Sequence, residues 1–247
     1  MYTPHDYCEL PSDINTKIWR YIDFGKFIDL LETQSLFFCR IDKLGDQNEG
    51  ILPKSTIDFW IDRVRRGLES GQSEVDLKKH ISFLHTEIRR IAMVNCWHIS
   101  EHENPAMWQI YAKNHFGIAI ETTIKDLIDT FKLIPDKIFI GKINYCRLED
   151  PRLNIGNTLI NIFNKLNYYN FENELRAEIE DYDMPGHIAK YEVGKKLKVD
   201  LNCLIKSICI SPNAPNGFKR VVELVLKDFK IDALVRPSII SDLSINH

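Results

Sequence analysis

Apolar positions along this chain change period several times, and each change marks an expected element. Ile18-Trp-Arg-Tyr-Ile22 is short and apolar, as a strand would be. Asp23 then reads as the N-cap of a helix carrying Phe24, Phe27, Ile28 and Leu31 on one side. Ser35-Leu-Phe-Phe-Cys39 returns as a strand, and Arg40 to Gly50 forms a charged loop punctuated by Gly45 and Gly50. Ile57, Ile61, Val64 and Leu68 then make one helical stripe. After a turn at 67–71, Ser73 caps a second stripe of Leu77, Ile81, Leu84, Ile88 and Ile91. Residues 53–92 are thus expected to be a helical insertion, and residues 1–16 a loosely ordered arm.

The middle of the chain reads strand, polar turn, short helix, strand. Val94 to Ile99 is the first strand, Asn104 the next N-cap, and Pro105 suits the first helical position. Met107, Ile110 and Tyr111 are expected on one face of that helix. From Gly117, Ile118 and Ile120 alternate with Ala119 and Glu121, and Thr123 caps a helix through Leu127, Ile128 and Phe131. Ile138 to Tyr145 predicts one strand, and 154–169 a helix with Ile155, Leu159, Ile162, Phe163 and Leu166 inward. Strands at 196–201 and 205–211, a helix near 215–229 with Val222, Val225 and Phe229 inward, and a strand at 233–236 complete the chain. The order predicts an α+β fold, with a mixed, mostly antiparallel central sheet in a single domain over 1–247.

One segment stands apart chemically. In Phe171 to Ile179, Phe171, Leu175, Ala177 and Ile179 alternate with Glu172, Glu174, Arg176 and Glu178. Like charges on one sheet face repel, so such a row is costly unless something uses it. The bland alternative is a solvated face; the functional one is a carboxylate pair in a cleft with Arg176 as its orienting partner.

Composition narrows the classes. At 247 residues with a formal charge of −3, the chain can bury a proper core and carries no global basic field for nucleic acid. A local basic patch stays open at Arg63, Arg65 and Arg66 or at Lys195, Lys196 and Lys198. The six cysteines lack CxxC spacing, the start lacks a signal-peptide pattern, and no apolar run approaches the ~20 residues that cross a bilayer. A cytoplasmic protein with reduced thiols and no membrane partner is the expectation.

Known motifs are weak here. His98-Ile-Ser-Glu101-His102 matches H-x-x-E-H, but on a strand end and turn rather than the helix that a zinc peptidase needs, so no metal is expected. There is no phosphate-binding glycine loop and no nucleophile elbow. A metal-dependent nuclease would draw on Asp42, Asp46, Glu49, Glu172 and Glu174, but the lysine such a site needs is not evident. Trp19 and Trp60 read as packing residues, whereas Trp97 and Trp108 are candidates for a cleft wall.

These motifs together carry a resemblance. Trp19-Arg-Tyr21, Ser35-Leu-Phe-Phe, Arg40-x-Asp42-x-Leu44-Gly-Asp46-x-x-Glu49-Gly50, Cys96-Trp-His, Ala106-Met-Trp108-x-x-Tyr111, Glu172-x-Glu174-x-Arg176 and Ile208-x-Ile-Ser-Pro212 resemble a phage-associated family grouped with AbiGi-type abortive-infection proteins. More distantly, the order of Arg20-Tyr21, Trp97 to Ser100 and Glu172-x-Glu174 is similar to the three NAD-cleft strands of DarT and PARP-type ADP-ribosyltransferases. That similarity implies NAD as a substrate, with Glu174 catalytic, Glu172 orienting the acceptor or acting as base, and Arg176 orienting both carboxylates. It implies Arg20, Tyr21 and Arg40 on the dinucleotide, and Trp97 and Ser100 at the nicotinamide pocket. It further implies a protein or nucleic-acid acceptor, a phage-defence toxin, and an antitoxin partner. Three departures stand out: Arg-Tyr in the first strand, Trp-His-Ile-Ser in the second, and Ser35 in place of the usual glycine. The alternative is a non-catalytic binding module, an antitoxin or phage sensor, holding a protein or nucleotide in the same cleft.

Overall fold

The apolar run Ala92–Ile99 becomes the strand on which the rest of the sheet hangs. In the computed structural model, residues 1–46, 49–50, 54–67, 74–112, 115–147, 158–180 and 191–240 are described. The elements are β1 (Lys17–Asp23), α1 (Phe24–Thr33), β2 (Ser35–Arg40), α2 (Lys54–Gly67), α3 (Glu74–Ile91), β3 (Ala92–Ile99), α4 (Pro105–Tyr111), β4 (Gly117–Thr123) and α5 (Ile124–Thr130). Then follow β5 (Phe139–Lys142), β6 (Asn144–Cys146), α6 (Thr158–Ile162), β7 (Asn164–Leu166), β8 (Glu174–Glu180), β9 (Gly194–Lys198), α7 (Leu201–Leu204), β10 (Ser207–Ile210), α8 (Phe218–Asp228) and β11 (Leu234–Pro237). Single 3-10 turns cover Ile41–Lys43 and Asn167–Glu172.

Among the described residues nine strands form one sheet, with β6 and β7 as a separate parallel pair. All its pairings are antiparallel except β10 with β11, so the α+β class and the mixed, mostly antiparallel sheet stand as expected. The centre of the sheet is divided. One edge of β3 pairs with β8 along Ala92–His98. Its other edge is shared: Met93 and Val94 face β2, and His98 and Ile99 face β1. Where β1 and β2 diverge, side chains satisfy backbone carbonyls in place of a strand. Asn95 Nδ2 donates to the Phe37 carbonyl at 2.9 Å and Arg20 Nη1 to the Cys96 carbonyl at 2.7 Å.

The strand period of two sorts residues onto two faces. Ile18, Ile22, Met93, Trp97, Ile118, Ile120, Leu175, Ala177 and Ile179 join the main core, with α1 and α5 packed on it through Phe27, Leu31, Ile124 and Leu127. The opposite face carries two smaller clusters. One gathers Cys8, Ile41, Val94, Ile143, Ile162 and Phe163; the other gathers Trp19, Tyr21, Met107, Trp108, Ala119 and Cys209. Caps fall where the sequence placed them, with Asp23 accepting from Lys26 N, Asn104 from Ala106 N and Met107 N, and Thr123 from Asp126 N.

Three expectations are corrected. The arm at 1–16 is tied down: Thr3 N bonds the Ile138 carbonyl, Lys142 N bonds the Glu9 carbonyl, both at 2.8 Å, and Cys8 is buried. The run 138–145 is two strands, because Ile143 N turns to the Glu174 carbonyl at 2.9 Å instead of continuing one ladder. The helix expected over 154–169 lasts only from Thr158 to Ile162 and yields to β7 and a 3-10 turn. Asn164, Asn167 and Asn170 favour such breaks, since their amides compete for backbone groups. In α4, formed as expected, Met107 and Trp108 are buried, with Tyr21 edge-on against Trp108 at 5.0 Å, and Ile110 and Tyr111 are exposed. Helices α2 and α3 lie within residues 53–92; Leu68, Ser73 and Ile155 fall outside the described residues, as does the Trp60 side chain.

Candidate functional site

The alternation in β8 puts Glu174, Arg176 and Glu178 on one face, and that face is buried, so the solvated-face reading is excluded. The antiparallel register sets His98 opposite Glu174 and Cys96 opposite Arg176. Arg176, wholly buried, grips Glu174 with two bonds, Nε to Oε1 at 2.7 Å and Nη2 to Oε2 at 3.1 Å. Its Nη1 also donates to the Ile162 carbonyl at 2.7 Å, and both Nη atoms reach Glu49 at 3.3 Å.

A second cation completes the cluster. Lys165 arrives on β7, and its Nζ contacts Glu49 at 2.7 Å, Glu172 at 2.5 Å and Glu174 at 3.5 Å. Because α6 stops at Ile162, Lys165 falls on a strand pointing inward rather than on a helix flank. The 3-10 turn that follows has about three residues per turn, so Tyr169 and Glu172 share one side. Tyr169 lies under the Lys165 ammonium at 4.8 Å, and Glu172 bonds it. Asn173 closes the turn in the left-handed region, φ 37°, which asparagine tolerates. Tyr111 Oη donates to Glu172 Oε1 at 2.8 Å, and the Glu174 amide donates to Tyr145 Oη at 3.0 Å.

Charge balance decides the ionisation states. Burial alone would raise the Glu49 carboxyl, but Arg176 and Lys165 outweigh it and hold it at about 2. Burial would lower the Lys165 ammonium, yet Glu174 and Glu49 raise it instead. Tyr111 is pushed up by burial and by Glu172, and burial carries Tyr145 up to about 12, so both phenols stay protonated. His98 moves the other way, lowered by burial. The result is a buried cluster in which Lys165 and Arg176 hold the side chains of Glu49, Glu172 and Glu174.

The structure brings together only part of the expected set. Glu172, Glu174 and Arg176 assemble, and Tyr21 lies on their face, its ring 6.4 Å from that of His98. Arg20 and Trp97 are on the opposite face, with the guanidinium 5.8 Å above the indole, at the split between β1 and β2. Arg40 is buried and committed to Asp42 through bonds of 2.8 and 2.6 Å. Ser100 offers its carbonyl to Trp19 Nε1 at 2.7 Å. Trp108 is also a packing residue, its Nε1 bonded to buried Glu103 at 2.9 Å. Of the H-x-x-E-H motif, His98 is buried while Glu101 and His102 face solvent.

The sequence missed Lys165, Tyr111 and His98 as partners of the carboxylates. Lys165 is the lysine whose absence had counted against a nuclease, supplied from a separate strand. Among the described residues no group of histidines, cysteines or acids has metal-site geometry. Lys165 and Arg176 already engage the oxygens that a divalent ion would need.

No family model and no curated protein matches the chain, so the AbiGi-type resemblance gains no support from them. Among solved structures, DarT of Thermus sp. 2.9 in complex with ADP-ribosylated ssDNA is similar over 95% of this chain and 98% of that one. The identity is 10% and the TM-score 0.41, and nothing is carried over from a likeness at that level.

Proposed function

We propose that this chain is an NAD-dependent ADP-ribosyltransferase-like enzyme. The observation that carries the reading is the pairing of Glu172, on the turn before β8, with Glu174 at its start, both held by Lys165 and Arg176 beside the ends of β1 and β3. In this reading the bond from nicotinamide to ribose breaks, and the ribose carries positive charge as nicotinamide leaves. Glu174, held fixed, stabilises that charge and the ribose hydroxyl, an electrostatic contribution aimed at the transition state. Glu172 orients the acceptor or takes its proton, and Tyr21 and Ser100 line the near strand ends. Arg176 orients the carboxylates. Arg20, Arg40 and Trp97 support the frame from behind rather than touch NAD.

The acceptor belongs to the protein or nucleic-acid classes, and the biological setting we favour is a phage-defence toxin neutralised by a partner protein. A toxin arrests growth when expressed alone, and Glu174→Ala relieves the arrest at equal soluble yield. Arrest that persists unchanged in that variant removes Glu174 from the chemistry.

One observation favours the other reading, a non-catalytic binding module. Both oxygens of Glu174 are already engaged by Arg176, and both of Glu172 by Lys165 and Tyr111, as in a purely structural network. NAD turnover separates the two.

A further inference from the structure

His98 lies on the face of β3 that carries the cluster, 4% exposed, and no step above uses it. Its two ring nitrogens have partners that fix their roles. Nδ1 is 2.5 Å from the Glu172 carbonyl oxygen, which can only accept, so Nδ1 carries the proton. Nε2 is 3.3 Å from Asn104 Nδ2. The Asn104 side chain is itself fixed, because its Oδ1 caps α4 by accepting from Ala106 N at 2.9 Å and Met107 N at 3.4 Å. Its amide nitrogen is therefore the atom turned to His98, as a donor, and Nε2 must accept. Tyr21 Oη holds the same residue by accepting from Asn104 N at 2.8 Å.

We infer that His98, as the neutral Nδ1–H tautomer, is the positioning residue that fixes the Glu172 turn to the N-cap of α4. It acts through Glu172 rather than on substrate. The same connection carries Tyr111, at the far end of α4, back to the Glu172 carboxylate, so cap, ring, turn and phenol form one closed loop. A second proton on His98 would set Nε2–H against the Asn104 N–H and break the loop at its middle. Burial opposes that proton, which lowers the His98 titration below its ordinary 6.5. The groups facing the ring are Glu172 and its neighbour Glu174 on the β8 side, Tyr21 on β1 and Asn104 on α4. The carbonyl and the carboxylate of Glu172 favour the proton, but burial outweighs them.

The inference deepens the transferase reading for its purpose, but its test does not depend on turnover. Nitrogen-15 NMR of the full chain reads the His98 tautomer and titration directly, beside Asn104→Asp. That variant keeps the α4 cap, since aspartate caps as well as asparagine, yet replaces the donor with an acceptor. Wild type is expected to show Nδ1–H and a titration below the ordinary histidine value, and Asn104→Asp a titration shifted to higher pH. An Nε2–H tautomer in wild type, or no shift in Asn104→Asp, overturns the inference.

Amide exchange supplies the second arm. Ile99 N and Asn173 N, bonded to the Asn173 and Asn170 carbonyls, report the turn. His98→Gln, which can both donate and accept, keeps their protection, and His98→Leu loses it about tenfold or more; equal protection in both variants overturns the positioning role. If the wild type releases no nicotinamide, the transferase reading fails while both arms here still decide.

Discussion

Arg176 holds Glu174 by two parallel bonds inside the protein, with no part of the arginine exposed to solvent. Such a pair is stable only as a pair: its attraction offsets the loss of hydration, and removing one member strands the other. The cluster is therefore a fixed electrostatic object rather than a set of mobile surface charges.

Replacing Arg176 with methionine tests this. Glu174 and Glu49 would lose their main cation, and the expected cost is about 3–5 kcal/mol of stability, read by chemical denaturation. A loss below about 1 kcal/mol would mean that the carboxylates find water or protonate without penalty.

Two buried acids bend the pH dependence of stability in opposite directions. Glu49 is lowered to about 2 from an ordinary 4.5, so its contribution is complete above 4.5 and is lost as pH falls from there toward 2. Glu178 is raised by burial: it is wholly buried, and neither of its oxygens has a hydrogen-bond partner among the described residues. The folded state then holds a proton that the unfolded chain releases, so stability falls as pH rises above 4.5. Each slope is bounded by about 1.4 kcal/mol per pH unit. Glu49→Gln should flatten the acid limb and Glu178→Gln the alkaline one; an alkaline limb that survives Glu178→Gln assigns it elsewhere.

Trp97 is 2% exposed, and its Nε1 donates to Asn95 Oδ1 at 2.7 Å. Trp97→Ala should cost about 3–5 kcal/mol by leaving a cavity, with a correspondingly lower denaturation midpoint. A folded, stable Trp97→Ala that alters only ligand binding would restore it to the cleft wall.

A Cβ added at Gly141 would come within 2.8 Å of the Cys8 Cα and 2.9 Å of its carbonyl carbon. Gly141→Ala should thus push the N-terminal arm off β5. Faster proteolysis of residues 1–10 is expected, and unchanged proteolysis would mean that the arm adapts.

Much of this was readable in the chain because local rules and tertiary demands agree. Asp23, Asn104 and Thr123 cap the helices they precede, and the β8 row faces one way because strand alternation leaves no choice. What failed depended on distant partners. Arg20 next to Tyr21 looks like a shared site in sequence, yet neighbours on a strand point to opposite faces. Lys165 carried no local signal, since its role follows from α6 ending early and β7 pairing with β6. Helical spacing puts Met107, Ile110 and Tyr111 on one face of α4 but does not show that Trp108, packed on Tyr21, is the buried neighbour of Met107.

The most direct test of the account is nicotinamide release from NAD by the purified protein, wild type beside Glu174→Ala, with folding of both verified. The account predicts release by wild type and its loss in the variant. No NAD binding and no release by folded wild type would contradict it, leaving the Glu172–Glu174 cluster as the framework of a binding module.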